Sequence, residues 1–148
     1  MTAADVDYLR SFQATVALPL GGDDRLLCYH GTPHNYNDGI TSYASNEELE
    51  RHFAGAEALV LAGAHTHRQL FRRFNTSIVI NPGSIGLAYD FPANGEPFVP
   101  ARAEFAILSY GETFEISLRR LGYDREATLR AMVEREMPHA AWWSANWM

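Results

Sequence analysis

Six histidines supply most of the chemistry legible in this sequence: His30, His34, His52, His65, His67 and His139. Three of them follow directly on apolar runs that read as buried strands. His30 closes Arg25-Leu26-Leu27-Cys28-Tyr29, and His65 and His67 lie just past Ala58-Leu59-Val60-Leu61-Ala62. In open sheets of mixed α/β proteins, ligands gather at the carboxyl ends of strands. Residues i and i+2 of an extended backbone point to one side, so His65 and His67 are expected to aim into a common site. Neutral imidazole binds transition metals, and three convergent histidines suit Zn, Mn or Fe. By spacing alone this ligand reading stands level with the plainer one, in which each histidine is a hydrogen-bonded loop residue. His52 falls on the polar side of its helix and His139 lies beyond Pro138; neither receives a role.

Other residues admit two readings each. His34, Asn35, Asn37 and Asp38 line either a substrate mouth or a solvated loop. Arg68, Arg72 and Arg73 follow His67 closely. An arginine there can clamp a phosphate bidentately, or the three can form a basic, solvent-facing turn. Cys28 sits within an apolar strand and reads as a small buried hydrophobe rather than a nucleophile.

Positioning these residues requires a recognisable order of elements. Thr2 and Asp5 form a capping-box pair, and Val6, Leu9 and Phe12 continue at helical spacing, predicting a helix that runs to about Ala14. Pro19 and Gly21-Gly22 break the chain before the strand at Arg25. From His30 to Tyr43 the sequence is polar and rich in Gly, Pro and Asn, a long loop of the kind that carries function. Ser45 and Glu48 make a second capping box ahead of Leu49 and Phe53. The strand Ala58–Ala62 is continuously apolar, as in a sheet covered on both faces. Ser77-Ile78-Val79-Ile80 is a third strand, stopped by Asn81-Pro82-Gly83-Ser84, whose Pro and Gly shape a sharp loop. Glu104–Ser109 and Thr113–Leu118 predict a hairpin across Tyr110-Gly111-Glu112, and a last helix begins near Asp124 and stops before Pro138. The class is α/β or α+β, in one unit.

Three blocks in this order carry a family resemblance: Cys28-Tyr29-His30-Gly31-Thr32-Pro33, then Leu61-Ala62-Gly63-Ala64-His65-Thr66-His67, then Ile80-Asn81-Pro82-Gly83-Ser84-Ile85-Gly86. The chain resembles the calcineurin-like metallophosphoesterases, specifically their small bacterial phosphodiesterase branch, over nearly its whole length. The resemblance implies a four-layer α/β/β/α sandwich of which this chain is the C-terminal portion. It also implies a centre of two divalent transition-metal ions (Mn, Fe, Zn or Ni), with His30 and His65 on one metal and His67 on the other. The implied reaction is hydrolysis of a phosphoester, of the diester kind, by a hydroxide that the metals activate. Asn81, Gly83 and Ser84 are then structural loop residues; His34, Asn35 and Arg68 are candidates for substrate contact. One local departure is Ala64, which stands where the family has Gly; it would be strained if the position needs φ > 0.

The larger departure is an absence. The family's D-x-H, GD-x-x-D and GNH-(D/E) blocks supply the bridging Asp, the Asn ligand and the His that protonates the leaving group. None precedes His30; Gly22-Asp23-Asp24 lacks the second acid and the preceding strand, and reads as a turn. The catalytic residues are accordingly unknown within this chain. About 90 residues of strand-plus-crossover units are expected before it, for a domain of about 240. Residues 1–148 then form a partial metallophosphoesterase domain, active only with that portion supplied and holding at most one weakly bound metal by itself. The alternative is a non-enzymatic remnant that binds one metal ion or a protein partner.

Composition excludes several other classes. All twelve basic residues are Arg, so no Schiff-base, P-loop or Ser–Lys chemistry is available. Against 18 acids they leave a net charge of −6, which disfavours nucleic-acid binding. A lone cysteine suits a reducing cytoplasm, and the acidic N-terminus has no apolar stretch like that of a signal peptide. No run approaches the ~20 apolar residues of a membrane span. The expected partner is a small phosphoester in the cytoplasm. Trp142, Trp143 and Trp147, in the last seven residues, mark either a tail folded back on the domain or a homo-oligomer contact.

Overall fold

In a computed structural model, residues 1–93, 95–145 and 147 are described. The chain divides into two compact units, Met1–Thr66 with Phe71–Ile80, and His67–Leu70 with Asn81–Met148. The architecture is the expected mixed α/β.

The first capping box forms as anticipated, the Thr2 hydroxyl accepting from the Asp5 N–H and the Asp5 carboxylate accepting from the Thr2 N–H. Helix α1 nevertheless ends at Arg10 (Ala3–Arg10), with no buried residue to extend it. The segment after it is a strand rather than a break: β1 (Thr15–Gly21) pairs antiparallel with β2 (Asp24–Tyr29). Pro19 is admissible there because β1 is the edge of its sheet, and the pairing register shifts between Pro19 and Gly21. From β2 the chain crosses through α2 (Asn46–His52), capped by Ser45 and Glu48 as expected, to β3 (Val60–Ala62), which runs parallel to β2. Then β4 (Gln69–Phe74) and β5 (Ser77–Pro82) complete a five-stranded sheet of order β1-β2-β3-β5-β4, with β5 parallel to β3.

Of the runs read as buried strands, β3 and β5 are buried, with Val60, Leu61, Val79 and Ile80 in the core. Strand β2, next to the edge strand, is only half-buried at Leu26, Leu27 and Cys28 and buried at Tyr29. Leu49 and Phe53 of the α2 segment are buried as well, and the Phe53 ring meets those of Tyr29 and Phe74. Fully burying each such side chain is worth about 1.5–3 kcal/mol, which outweighs the modest helix propensity of a seven-residue element.

In the second unit, β6 (Arg102–Tyr110) and β7 (Phe114–Gly122) form the expected hairpin, in register from Arg102↔Gly122 to Tyr110↔Phe114, with β6 longer by two residues at its start and one at its end, and β7 starting one residue later and running four further. Two helices follow, α3 (Arg125–Glu134), capped by Asp124, and α4 (Ala140–Ser144). Trp147 is buried against Tyr123, and its carbonyl accepts from the Arg125 guanidinium at 2.6 and 3.1 Å. Trp142 and Trp143 form an edge-to-face pair, with Trp142 exposed. No helix among the described residues is long and apolar enough to cross a membrane.

Candidate metal and substrate site

At the carboxyl end of β2, His30 begins a tightly pinned turn. The buried Thr32 hydroxyl accepts from the N–H groups of His34 and Asn35, and its own N–H donates to the Asn35 carbonyl. The loop carbonyls of Asn35, Tyr36 and Asp38 close over Gly31, within 2.6–2.7 Å of where a Cβ would stand, so only glycine fits after His30. At the end of β3, the Gly63 N–H donates to the Ile80 carbonyl and the Ala64 N–H to the His30 carbonyl. The Tyr29 ring lies across Gly63, leaving no room for a side chain. Burial raises the pKa of the Tyr29 hydroxyl above its ordinary value.

These constraints bring His30 and His65 together. Nε2 of His30 lies 3.1 Å from Nδ1 of His65, with the rings edge to face. The route to that geometry differs from the extended backbone expected of the His-x-His segment. Both His65 (φ 62°) and His67 (φ 54°) occupy the left-handed region, so their directions do not follow from strand alternation. Such non-glycine residues are uncommon and held only by their surroundings. Ala64, in contrast, has no positive φ, so the strain its methyl raised from the sequence is absent.

In the second unit His67 is oriented by two contacts. Its Nδ1–H donates to the Leu87 carbonyl at 2.9 Å, and its ring stacks on Tyr89 at 5.9 Å and 14°. A carbonyl only accepts, so Nδ1 carries a proton in this contact and Nε2 is the ring nitrogen left to ligate a metal, the arrangement typical of a ligating histidine. The Asn81–Ser84 loop supports Leu87: the Ser84 hydroxyl accepts the Leu87 N–H, and the buried Asn81 side chain accepts the Gly83 N–H. These residues shape the loop, as the sequence suggested.

The remaining candidates have partners of their own. The His34 ring donates through Nε2 to the Ala54 carbonyl, and Asn35 closes its own loop with Asp38 and Asn37. Arg72 and Arg73 lie in β4, not in a turn; Arg72 donates to the Ala44 carbonyl and to Asn46 Oδ1, tying the strand to the start of α2. Arg68 sits over the face of Phe91, 4.8 Å from its centroid.

A charged network absent from the sequence reading lies in the second unit. Glu104, on β6 and buried, accepts from Arg102 at 2.9 Å and from Arg120 on β7 at 3.1 Å. Arg102 also pairs bidentately with Asp90 at 2.7 Å, holding that carboxyl below its ordinary pKa. The signal was present: Arg102 and Glu104 share a strand face at i and i+2, and an Arg stands opposite Glu104 on the partner strand.

As a metal site, the residues fit in part. The 3.1 Å between His30 and His65 is a separation that an ion at the ~2.1 Å imidazole distance spans. No group of three His, Cys, Asp or Glu side chains able to hold a metal converges among the described residues. Two imidazoles do not satisfy the four to six ligands that such an ion takes, and they bring no carboxylate, so a dinuclear centre is not furnished by these groups.

No protein-family model matches the sequence, nor does any curated protein. Solved structures do match. A hypothetical protein of Pyrococcus horikoshii OT3 superposes with a TM-score of 0.66 at 23% identity, over 90% of this chain and 50% of its own. A metallophosphoesterase of Sphaerobacter thermophilus superposes with a TM-score of 0.69 at 19% identity, over 99% of this chain and 63% of its own. The chain thus spans half to under two thirds of the length of these two structures. At such identities the likeness shows the fold alone, one that this chain shares with the Sphaerobacter thermophilus metallophosphoesterase.

Proposed function

We propose that this chain is part of a metal-dependent phosphoester hydrolase, acting on a small diester, and that His30, His65 and His67 are its contribution to the metal centre. The observation that carries the reading is the approach of His30 and His65 to 3.1 Å, at the carboxyl ends of two parallel strands, in a fold shared with a metallophosphoesterase. Divalent transition metals, when bound, lower the pKa of water and neutralise phosphoryl charge. The chain's own task is to aim three imidazoles: Gly31 and Gly63 let two backbones close on each other, and the Leu87 carbonyl fixes the tautomer of His67. Carboxylate and Asn donors, a leaving-group acid and the outer layers of a four-layer sandwich are further requirements of this reading. The lone Cys28, without a disulfide partner, suits a reducing cytoplasm. The exposed Trp142 is the surface through which a homo-oligomer would form.

Two measurements test this. The product of the complete reading frame that contains these residues should hydrolyse bis-p-nitrophenyl phosphate in Mn²⁺ and lose that activity on His65→Ala. A product inert towards phosphoesters refutes the hydrolase. The 148-residue chain alone should show no turnover and should retain at most one metal ion, abolished by His65→Ala. One ion retained by a full-length product without activity would favour the other reading, a non-enzymatic metal-binding protein.

A further inference from the structure

Beside the Glu104 network lies a cavity of about 430 Å³, within the size range of small-ligand sites. Its charges are unevenly committed. Arg102 is spent on Asp90 and Glu104. Arg120 uses Nε on Glu104 and on the Gln69 side chain, at 3.1 and 3.0 Å, while its two terminal nitrogens bond nothing among the described residues. Arg68 has no carboxylate partner there, only the Phe91 face. Three guanidinium groups thus line the cavity against two carboxylates, with the open N–H donors on Arg68 and Arg120. Tyr89, Phe91 and Phe98 supply aromatic faces. Tyr89 is also the ring stacked on His67, so the cavity shares a wall with a proposed metal ligand.

Each half of this lining selects a ligand property. Guanidinium N–H donors left open recognise phosphate through charge-assisted hydrogen bonds. Aromatic faces beside them take a planar ring by stacking. A free inorganic anion leaves the aromatic wall unused, and a neutral aromatic leaves the arginines unused. We propose that this cavity binds a mononucleotide, its phosphate on Arg68 and Arg120 and its base against Phe91 and Tyr89. The inference deepens the hydrolase reading by naming the product class, since cleavage of a nucleotide-containing diester releases a mononucleotide, and it rests on that reading only for the link to His67.

Calorimetric titration of the 148-residue chain in EDTA separates the two, because binding is then read without metal or turnover. AMP should bind saturably, with ribose 5-phosphate and adenosine each weaker by about tenfold or more. Arg68→Ala should weaken AMP by about 10- to 100-fold. Phe91→Ala should weaken AMP and leave ribose 5-phosphate unchanged. Both side chains are exposed, so far-UV circular dichroism should match the wild type. No saturable binding of AMP at millimolar concentration, AMP binding indifferent to Arg68→Ala, or ribose 5-phosphate binding as tightly as AMP would each overturn the nucleotide assignment. Hydrolysis of bis-p-nitrophenyl phosphate by the full product is untouched by any of those results.

Discussion

Replacing Gly83 by alanine probes how the Asn81–Ser84 loop is seated on the Glu104 network. Gly83 has φ of 88°, in the left-handed half of the map, and its missing Cβ faces the Glu104 side chain and Gln69 Cγ, the latter at 3.0 Å. An alanine there meets two penalties. Left-handed backbone costs an L-residue about 1–2 kcal/mol. Overpacking adds about 1–3 kcal/mol, because Glu104 cannot swing away: its side chain is 2% exposed and bound by Arg102 and Arg120. The sum is about 2–5 kcal/mol. With an unfolding entropy of about 2.1 cal/mol/K per residue, a chain of this length has roughly 0.3 kcal/mol/K, so Tm should fall by about 6–16 °C. Gly86 is the control, having no positive φ and nothing within 4 Å of its missing Cβ. Gly86→Ala should be neutral, or stabilising by up to about 1 kcal/mol through the unfolded chain. Thermal and urea unfolding followed by circular dichroism measure both. In a double-mutant cycle, Glu104→Ala should lower the Gly83→Ala penalty only in part, since it removes the carboxylate but leaves the Glu104 Cβ and Gln69 Cγ in the way. A Gly83→Ala variant within about 0.5 kcal/mol of wild type, or a Gly86→Ala loss of equal size, would refute the reasoning.

Other outcomes follow from the same contacts. Gly63→Ala places a Cβ 2.5 Å from the Tyr29 ring and should cost about 1–3 kcal/mol in urea unfolding; unchanged stability would mean that the ring does not close over that backbone. Glu104→Gln keeps the shape but removes the charge facing Arg102 and Arg120, for a loss of about 1–3 kcal/mol, towards the lower end because Arg120 is more than half exposed. A double-mutant cycle with Arg102→Met that gives no coupling would contradict it. The Arg102 guanidinium holds the Asp90 carboxyl below its usual pKa, so the ionised form favours the fold. That contribution is present above about pH 4, the unfolded value, and is lost as pH falls through the depressed folded value. The stability gap between wild type and Asp90→Asn should therefore close on acidification through that window, and a gap independent of pH there would disprove the pairing.

Much of the local structure was legible because it rests on short-range chemistry. Both capping boxes, the buried runs at Val60–Ala62 and Ile78–Ile80, and the hairpin after Arg102 each carry a signal within a few residues. The edge strands β1 and β4 were not legible. An edge strand tolerates Pro19 in β1 and the polar Arg72 and Arg73 in β4, so neither run carries the apolar signal of a central strand. The same distinction applies to the site. Sequence determined which histidines follow which strands and, through three ordered blocks, the fold that the solved structures share. Only tertiary structure decided that His65 meets His30 by a left-handed turn, that His67 is held by Leu87 and Tyr89, and that Glu104 is buried between two arginines. These are meetings of groups from separate elements, where a side chain's direction and charge state are set by what packs against it, and no periodicity along the chain records that.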